Sequence, residues 1–274
     1  MSLSLEPSGN CQALAVVKSG VNAGRKVYLI KNCCAFHRLP DCYEVPCCDH
    51  CDPDAEIRSK INLASGEFTP LPWDEADHLT TAGASKCGKS SILRDMAIQY
   101  LISHPEAQVY VVTFNPVPTF IDEIPGVIRI PYEDIINGSV TSEGLHDSLV
   151  IFDDVDETAF LPDDVPVSIL KKKATALRDS LFAAGRHENI SVYLTSHDAL
   201  AGKLTTKGNV NSHAIIAFPK YVNRDHLKTI LMKKGMLSKE QYESAMAINA
   251  PRWLYIRKMG HHPYAIGPRE VKLL

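Results

Sequence analysis

The sequence predicts an α/β fold with a mainly parallel sheet, preceded by a small N-terminal β-hairpin and a Cys-rich segment. Two observations carry the α/β part: from about residue 60 onward short apolar runs alternate with stretches of helical period, and those runs are β-branched without polar alternation, as in strands covered on both faces. The third is the clustering of six of the eight cysteines between Cys33 and Cys51, ahead of that alternation. With 274 residues, 45% hydrophobic and 22% charged, the chain has ordinary globular usage, which excludes disordered, fibrous and low-complexity classes. There is no internal repeat, and no apolar run reaches the roughly 18 residues of a membrane span. The start, MSLSLEPSGN, lacks a basic and apolar leader pattern, so a soluble, unsecreted protein is expected. A net charge of −3 argues against a wholly basic nucleic-acid coat and leaves room for a local basic patch.

Two units are expected, residues 1–59 and 60–274. In the first, ALAVV and KVYLI flank KSGVNAGR, whose Gly20, Asn22 and Gly24 supply the turn of a hairpin. The Cys-rich stretch follows, then a Pro-rich approach, FTPLPW. In the second unit His78–Ala82 is a strand. Ser90–Ser103 is a helix, with Ile92, Leu93, Met96, Ala97, Tyr100 and Leu101 on one stripe and Pro105 after it. Gln108–Phe114, Val127–Ile130 and Leu149–Phe152 read as buried strands. Leu170, Ala174, Leu177 and Leu181 mark a helix over Ser168–Ala184, with Gly185 as its cap. Ile190–Thr195 and Ala214–Phe218 are further strands. The tail carries two short helices, about 224–234 and 238–248, then RWLYIRK, a turn and a final strand.

Gly83-Ala84-Ser85-Lys86-Cys87-Gly88-Lys89-Ser90 fits G-x-x-x-x-G-K-[ST] and opens a helix, as a phosphate-binding loop requires. Glycines let the backbone wrap so that N–H groups face phosphate oxygens, and the helix N-terminus adds partial positive charge. The loop through Ser91 is the candidate nucleotide site. Lys89 is expected on the β- and γ-phosphates of ATP and the Ser90 hydroxyl on Mg²⁺. Leu149–Phe152 then delivers Asp153 and Asp154 to the C-terminal end of a buried strand, where ligands of open α/β sheets bind. Asp153 is the expected second Mg²⁺ ligand, in the manner of a Walker B aspartate. Asp154 is the carboxylate placed to orient or deprotonate water, with Asp156 or Glu157 as substitutes. On the strand next to it the role of sensing the γ-phosphate is open to Thr195, Ser196 or His197, with a surface histidine opening a loop as the equal alternative for His197. Arg186, just past a helix end, is either a surface cation or an arginine offered to a neighbouring subunit.

The ordered set GASKCGKS, LVIFDD, AAGRHENISVYLTSH and PRWLYIRKMGHHPYAI resembles the genome-packaging ATPases of the nucleo-cytoplasmic large DNA viruses, the poxvirus-type branch of the FtsK/HerA superfamily. The resemblance covers roughly residues 60 to 274. It implies a RecA-like core, assembly into a homo-oligomeric ring, and ATP-driven movement of double-stranded viral DNA into a preformed capsid. The site would then be at work in the host cytoplasm, with capsid or portal components as partners and the virion as a further location. Carried over, Lys89 and Ser90 hold phosphate and Mg²⁺, Asp153 and Asp154 form the Walker B pair, and Arg186 acts across an interface. The family more often carries Gln where this chain has His197. Other readings of the same core are a cellular or mobile-element DNA translocase and a slow, nucleotide-gated scaffold module.

In the Cys-rich segment Cys34-x-x-His37 and Cys48-x-x-Cys51 have the spacing of a tetrahedral structural Zn²⁺ site, with Cys33, Cys42, Cys47 and His50 as spare ligands. A disulfide framework and a set of reduced thiols are the rival readings. For DNA, the candidate contacts are Lys171–Lys173 and the loop lysines Lys203 and Lys207; a solvated helix face is the competing reading for the first group.

Overall fold

A computed structural model describes residues 2–7, 11–30, 59–73, 76–155, 157–197, 211–234, 236–250, 252–258 and 263–274. The Cys-rich segment, Asp156, Lys203 and Lys207 lie outside the described residues.

The N-terminal part comprises β1 (Ser2–Ser4), β2 (Cys11–Val17) and β3 (Lys26–Ile30), with β2 and β3 paired antiparallel as the hairpin expectation has it. β4 (Lys60–Asn62) and β5 (Phe68–Pro70) follow. β5 comes from the Pro-rich approach: its three residues are buried and pair with β2, which completes a four-stranded sheet in the order β1-β3-β2-β5. Pro70 closes that strand at the edge of the sheet, where a missing N–H costs nothing.

The second sheet is built from β6 (His78–Ala82), β7 (Gln108–Val112), β8 (Ile128–Arg129), β9 (Ser148–Phe152), β10 (Ser191–Ser196), β11 (Ala214–Ala217), β12 (Leu254–Arg257), β13 (Tyr264–Ile266) and β14 (Glu270–Leu273), with β4 at its edge. Its order is β4-β14-β13-β12-β11-β6-β10-β9-β7-β8. The run from β11 to β8 is parallel, and β12, β13, β14 and β4 extend it antiparallel. The expected strand 108–114 stops at Val112, and 127–130 shortens to two residues. The tail yields three strands where one was expected, because RWLYIRK pairs with β11 and the residues after it add β13 and β14 in succession, a set of partners that local sequence cannot announce.

Helices cover both faces. α1 (Lys89–Ser103) buries Ile92, Leu93, Met96, Ala97 and Tyr100 against one face, in a cluster shared with the N-terminal sheet through Leu14, Val17 and Phe68. α2 (Tyr132–Asn137) and α3 (Val167–Ala184) cover the other face over Val150, Phe152, Val192 and Leu194. Gly185 ends α3 with φ −57 and leads into a 3-10 turn, Gly185–Glu188. The expected helix over 224–234 divides into α4 (Arg224–Lys228) and a π-helical stretch, Thr229–Lys234. α5 (Lys239–Met246) opens with a Ser238/Gln241 capping box, and it packs with α4 on β11, β12 and β13. Among the described residues no helix is long and apolar enough to cross a membrane.

Candidate active site

The parallel strands deliver the sequence-predicted residues to one end of the sheet. β6 reads HLTTA, polar for a central strand, yet all five residues are buried between β10 and β11. At its end Gly83 N–H donates to Ser196 O (3.1 Å), which pins the start of the phosphate loop to β10. A Cβ on Gly83 would stand 2.8 Å from both Cys87 Sγ and the Phe218 ring, so the loop base has room only for glycine. Gly88 caps α1 at φ +105, a conformation side chains resist. Ala84, Ser85, Lys86 and Gly88 are exposed; Ser90 and Ser91 are half-buried at the helix start. α1 has no side-chain cap and no acidic residue in its first turn, which leaves its N-terminal dipole for an anion. Burial pushes the Cys87 thiol up, against the opposing charge of Lys89, and keeps it protonated.

Lys89 is 5% exposed. Its Nζ donates to Gly83 O (2.9 Å) and Ala84 O (3.3 Å) and lies 3.1 Å from His197 Nδ1 and 4.0 Å from Asp154 Oδ1. Asp153 N–H donates to Val112 O (2.9 Å), so the first carboxylate is held by continued pairing with β7. Its side chain is buried, and burial together with the neighbouring Asp154 charge pushes its carboxyl up to about 6, against the Thr195 hydroxyl and Lys89. Asp154 turns away at φ +46, and its N–H donates to Thr195 Oγ1 (2.8 Å). The Thr195 hydroxyl lies 3.0 Å from Asp153 Oδ1 and 2.9 Å from Asp154 Oδ1, one proton facing two acceptors. His197 Nε2 lies 3.0 Å from Asp154 Oδ2 and 2.8 Å from Glu157 Oε1, off the axis of its N–H to either. Of the three sensor candidates, Thr195 and His197 thus touch the acidic pair.

Arg186 is not brought to this cluster. It sits exposed on the 3-10 turn before β10, and its charge adds to burial and to His213 in lowering the His78 imidazole. His78 opens β6 and the loop leaves its other end, so Arg186 and Lys89 are separated by the strand's length, on the order of 15 Å for five residues. Lys172 and Lys173 are exposed on α3.

Two groups escaped the sequence reading. One is Phe218, whose ring lies under the phosphate loop. The other is a buried ionic centre at the far end of the sheet, where Arg257 donates to Asp77 Oδ1 (2.7 Å) with its guanidinium 3.7 Å over the Trp73 ring and His213 Nδ1 3.3 Å from the same carboxylate oxygen. Burial works to raise the Asp77 carboxyl, but Arg257 and His213 outweigh it and hold the group below its usual range. An Arg on an apolar strand and an Asp before a strand carry no spacing signal that pairs them.

An uncapped helix behind a glycine loop, a buried lysine, and an acid pair two strands away on a parallel sheet define a RecA-like P-loop NTPase fold. No family model matches the chain. It is similar to the uncharacterized protein V3 of the Sputnik virophage, 25% identical over 207 residues, 73% of this chain and 79% of the relative. Similar solved structures include the DNA-packaging ATPase B204 of Sulfolobus turreted icosahedral virus (15% identity, 72% of this chain and 99% of that one, TM-score 0.48). Another is the pCW3 conjugation coupling protein TcpA (11% identity, 95% and 77%, TM-score 0.43).

Proposed function

We propose that this chain is an ATP-hydrolysing DNA translocase, and more finely a motor that moves double-stranded viral DNA into a preformed capsid in the infected cell. The observation that carries the catalytic part is the convergence of Lys89, Asp153, Asp154, Thr195 and His197 at the uncapped N-terminus of α1. The DNA and capsid parts rest on the sequence resemblance to packaging ATPases.

In this reading the loop backbone and Lys89 bind the triphosphate, and Lys89 leaves the carbonyls of Gly83 and Ala84 to reach phosphate oxygens. Ser90 and Asp153 suit Mg²⁺: both offer hard oxygen ligands, and a buried carboxylate beside a second one is short of positive charge. Bound there, Mg²⁺ neutralises charge on the transferring phosphoryl group. Asp154, held by Thr195 and 3.0 Å from His197 Nε2, is the carboxylate that orients the attacking water, with Glu157 beside the same imidazole. Arg186 lies too far away to act on its own chain's nucleotide and serves that of a neighbouring subunit in a ring. Exposed Lys172 and Lys173, with Lys203 and Lys207, supply phosphate contacts to the duplex. Residues 1–59 are an N-terminal extension whose hairpin pairs with β5 and shares a core with α1, and in it Cys34, His37, Cys48 and Cys51 hold Zn²⁺; metal analysis of the purified chain tests this, and a zinc-free folded protein rejects it.

The deciding experiment is ATP turnover with and without double-stranded DNA, measured with oligomer mass. Stimulation by DNA that disappears in Lys89→Ala is expected. Turnover that survives that substitution rejects the site, and a DNA-indifferent rate favours the scaffold reading.

A further inference from the structure

Strand order gives the phosphate loop different neighbours on its two sides. Asp153, Asp154 and His197, which face the terminal phosphate in the reading above, stand at the ends of β9 and β10, on one side of β6. β11 flanks β6 on the other side in parallel register, Ala217 opposite Ala82, so the chain leaving β11 emerges at the same end of the sheet as the loop. A nucleotide with its terminal phosphate toward β10 and β9 carries its ribose and base toward β11, over residues 218–223.

That segment is tied to the loop. The Phe218 ring is fully buried, within 2.8 Å of where a Cβ on Gly83 would lie and 3.9 Å of one on Gly88. Three residues later Tyr221 closes a turn, its N–H donating to Phe218 O (2.8 Å). Val222 then packs into the cluster under α4 and α5, and Asn223 caps α4 through Asp225 N–H. The backbone on both sides of Tyr221 is therefore anchored, yet the residue is 52% exposed. An exposed aromatic ring on an anchored turn presents an apolar face at low entropic cost.

We infer that Tyr221 is the stacking platform for the base of the nucleoside triphosphate whose phosphates bind at Gly83–Ser90, an assignment that rests on the phosphate-site reading. Stacking uses the π-face that every base has, so the platform accepts adenine and guanine alike.

The test titrates the full chain with Mg²⁺-ATP and with Mg²⁺-tripolyphosphate, which has the phosphates and no base, using the unmodified protein, Tyr221→Ala, Tyr221→Phe and Lys89→Ala. Tyr221→Ala is expected to weaken ATP binding by roughly 5- to 150-fold while tripolyphosphate stays within about twofold, and Tyr221→Phe to keep both. Unchanged ATP affinity in Tyr221→Ala overturns the platform and leaves the phosphate site standing, provided Lys89→Ala still loses tripolyphosphate. Equal weakening of both ligands by Tyr221→Ala means a structural role and also overturns it. Tripolyphosphate binding that Lys89→Ala does not change overturns the phosphate-site reading and the platform with it.

Discussion

Thr195→Val is the substitution that separates the three candidates on the sensor strand. Valine keeps the volume and the β preference of threonine, so the 2% exposed position stays filled while the hydroxyl goes. Two consequences follow. The Asp154 N–H, which donates to Thr195 Oγ1 at 2.8 Å, is left without its acceptor, at about 1–3 kcal/mol. The acidic pair loses a donor 3.0 Å from Asp153 Oδ1 and 2.9 Å from Asp154 Oδ1, a charge-assisted bond of about 1.5–3 kcal/mol. Part of this is recovered as the loop relaxes, so a net loss of about 2–3 kcal/mol is expected, a fall in Tm of roughly 4–12 °C for a chain of this size. With its backbone tie gone, Asp154 is freer to leave φ +46, and its carboxylate drifts from Lys89. ATP turnover should drop at least about tenfold with nucleotide binding retained. Thermal unfolding and steady-state ATPase assays measure the two effects. A variant with unchanged Tm and unchanged turnover would refute the assignment of Thr195 as the residue that organises the acidic pair.

The remaining expectations concern the carboxylates and the buried ionic centre. Asp154→Asn should lower turnover by roughly 10²–10⁴ with ATP still bound, and Glu157→Gln should do much less, since the Glu157 carboxylate meets the imidazole and its side chain is 43% exposed; the reverse ranking in a single-turnover assay would make Glu157 the water-orienting group. Arg257→Met strands the buried Asp77 carboxylate and should cost about 3–5 kcal/mol in denaturant unfolding, whereas the double change Arg257→Met with Asp77→Asn restores part of it; additive losses would show that the pair is uncoupled. Burial, then His213 and Arg186, hold His78 down to about 4 from 6.5, while Asp77 opposes them. Because the folded value is the lower one, the unfolded chain takes the proton first as pH falls. Stability from this group is complete above about pH 6.5 and declines by roughly 3 kcal/mol by pH 4, a slope that His78→Leu should remove from a pH series of unfolding midpoints.

Much of the site was legible because each piece is contiguous. GASKCGKS needs only its own glycines and the helix it opens, LVIFDD only a buried strand ending in acids, and both stand where their spacing put them. His78–Ala82 was less apolar than a central strand usually is, and its burial came from β10 and β11 on either side, not from its composition. Arg186 was legible as a conspicuous cation past a helix end, but its distance from Lys89 was not, since that depends on which end of the sheet α3 reaches. RWLYIRK hid a buried arginine, because a charge on an apolar strand gives no sign of an aspartate 180 residues away.

The sequence by itself determined the phosphate loop, the acid pair, the alternation that makes the sheet parallel, and the stripes that bury α1 and α3. These follow from local conformational preference and periodicity, which act over one or two turns. Tertiary structure alone decided that β10 lies between β6 and β9, which brings Thr195 and His197 onto carboxylates some 42 residues away, and that β11 lies on the other side, which brings Phe218 under the loop. Strand order is settled by which apolar faces find cover and which backbone edges find partners. Those energies are summed over the whole chain, and no short stretch of residues carries them.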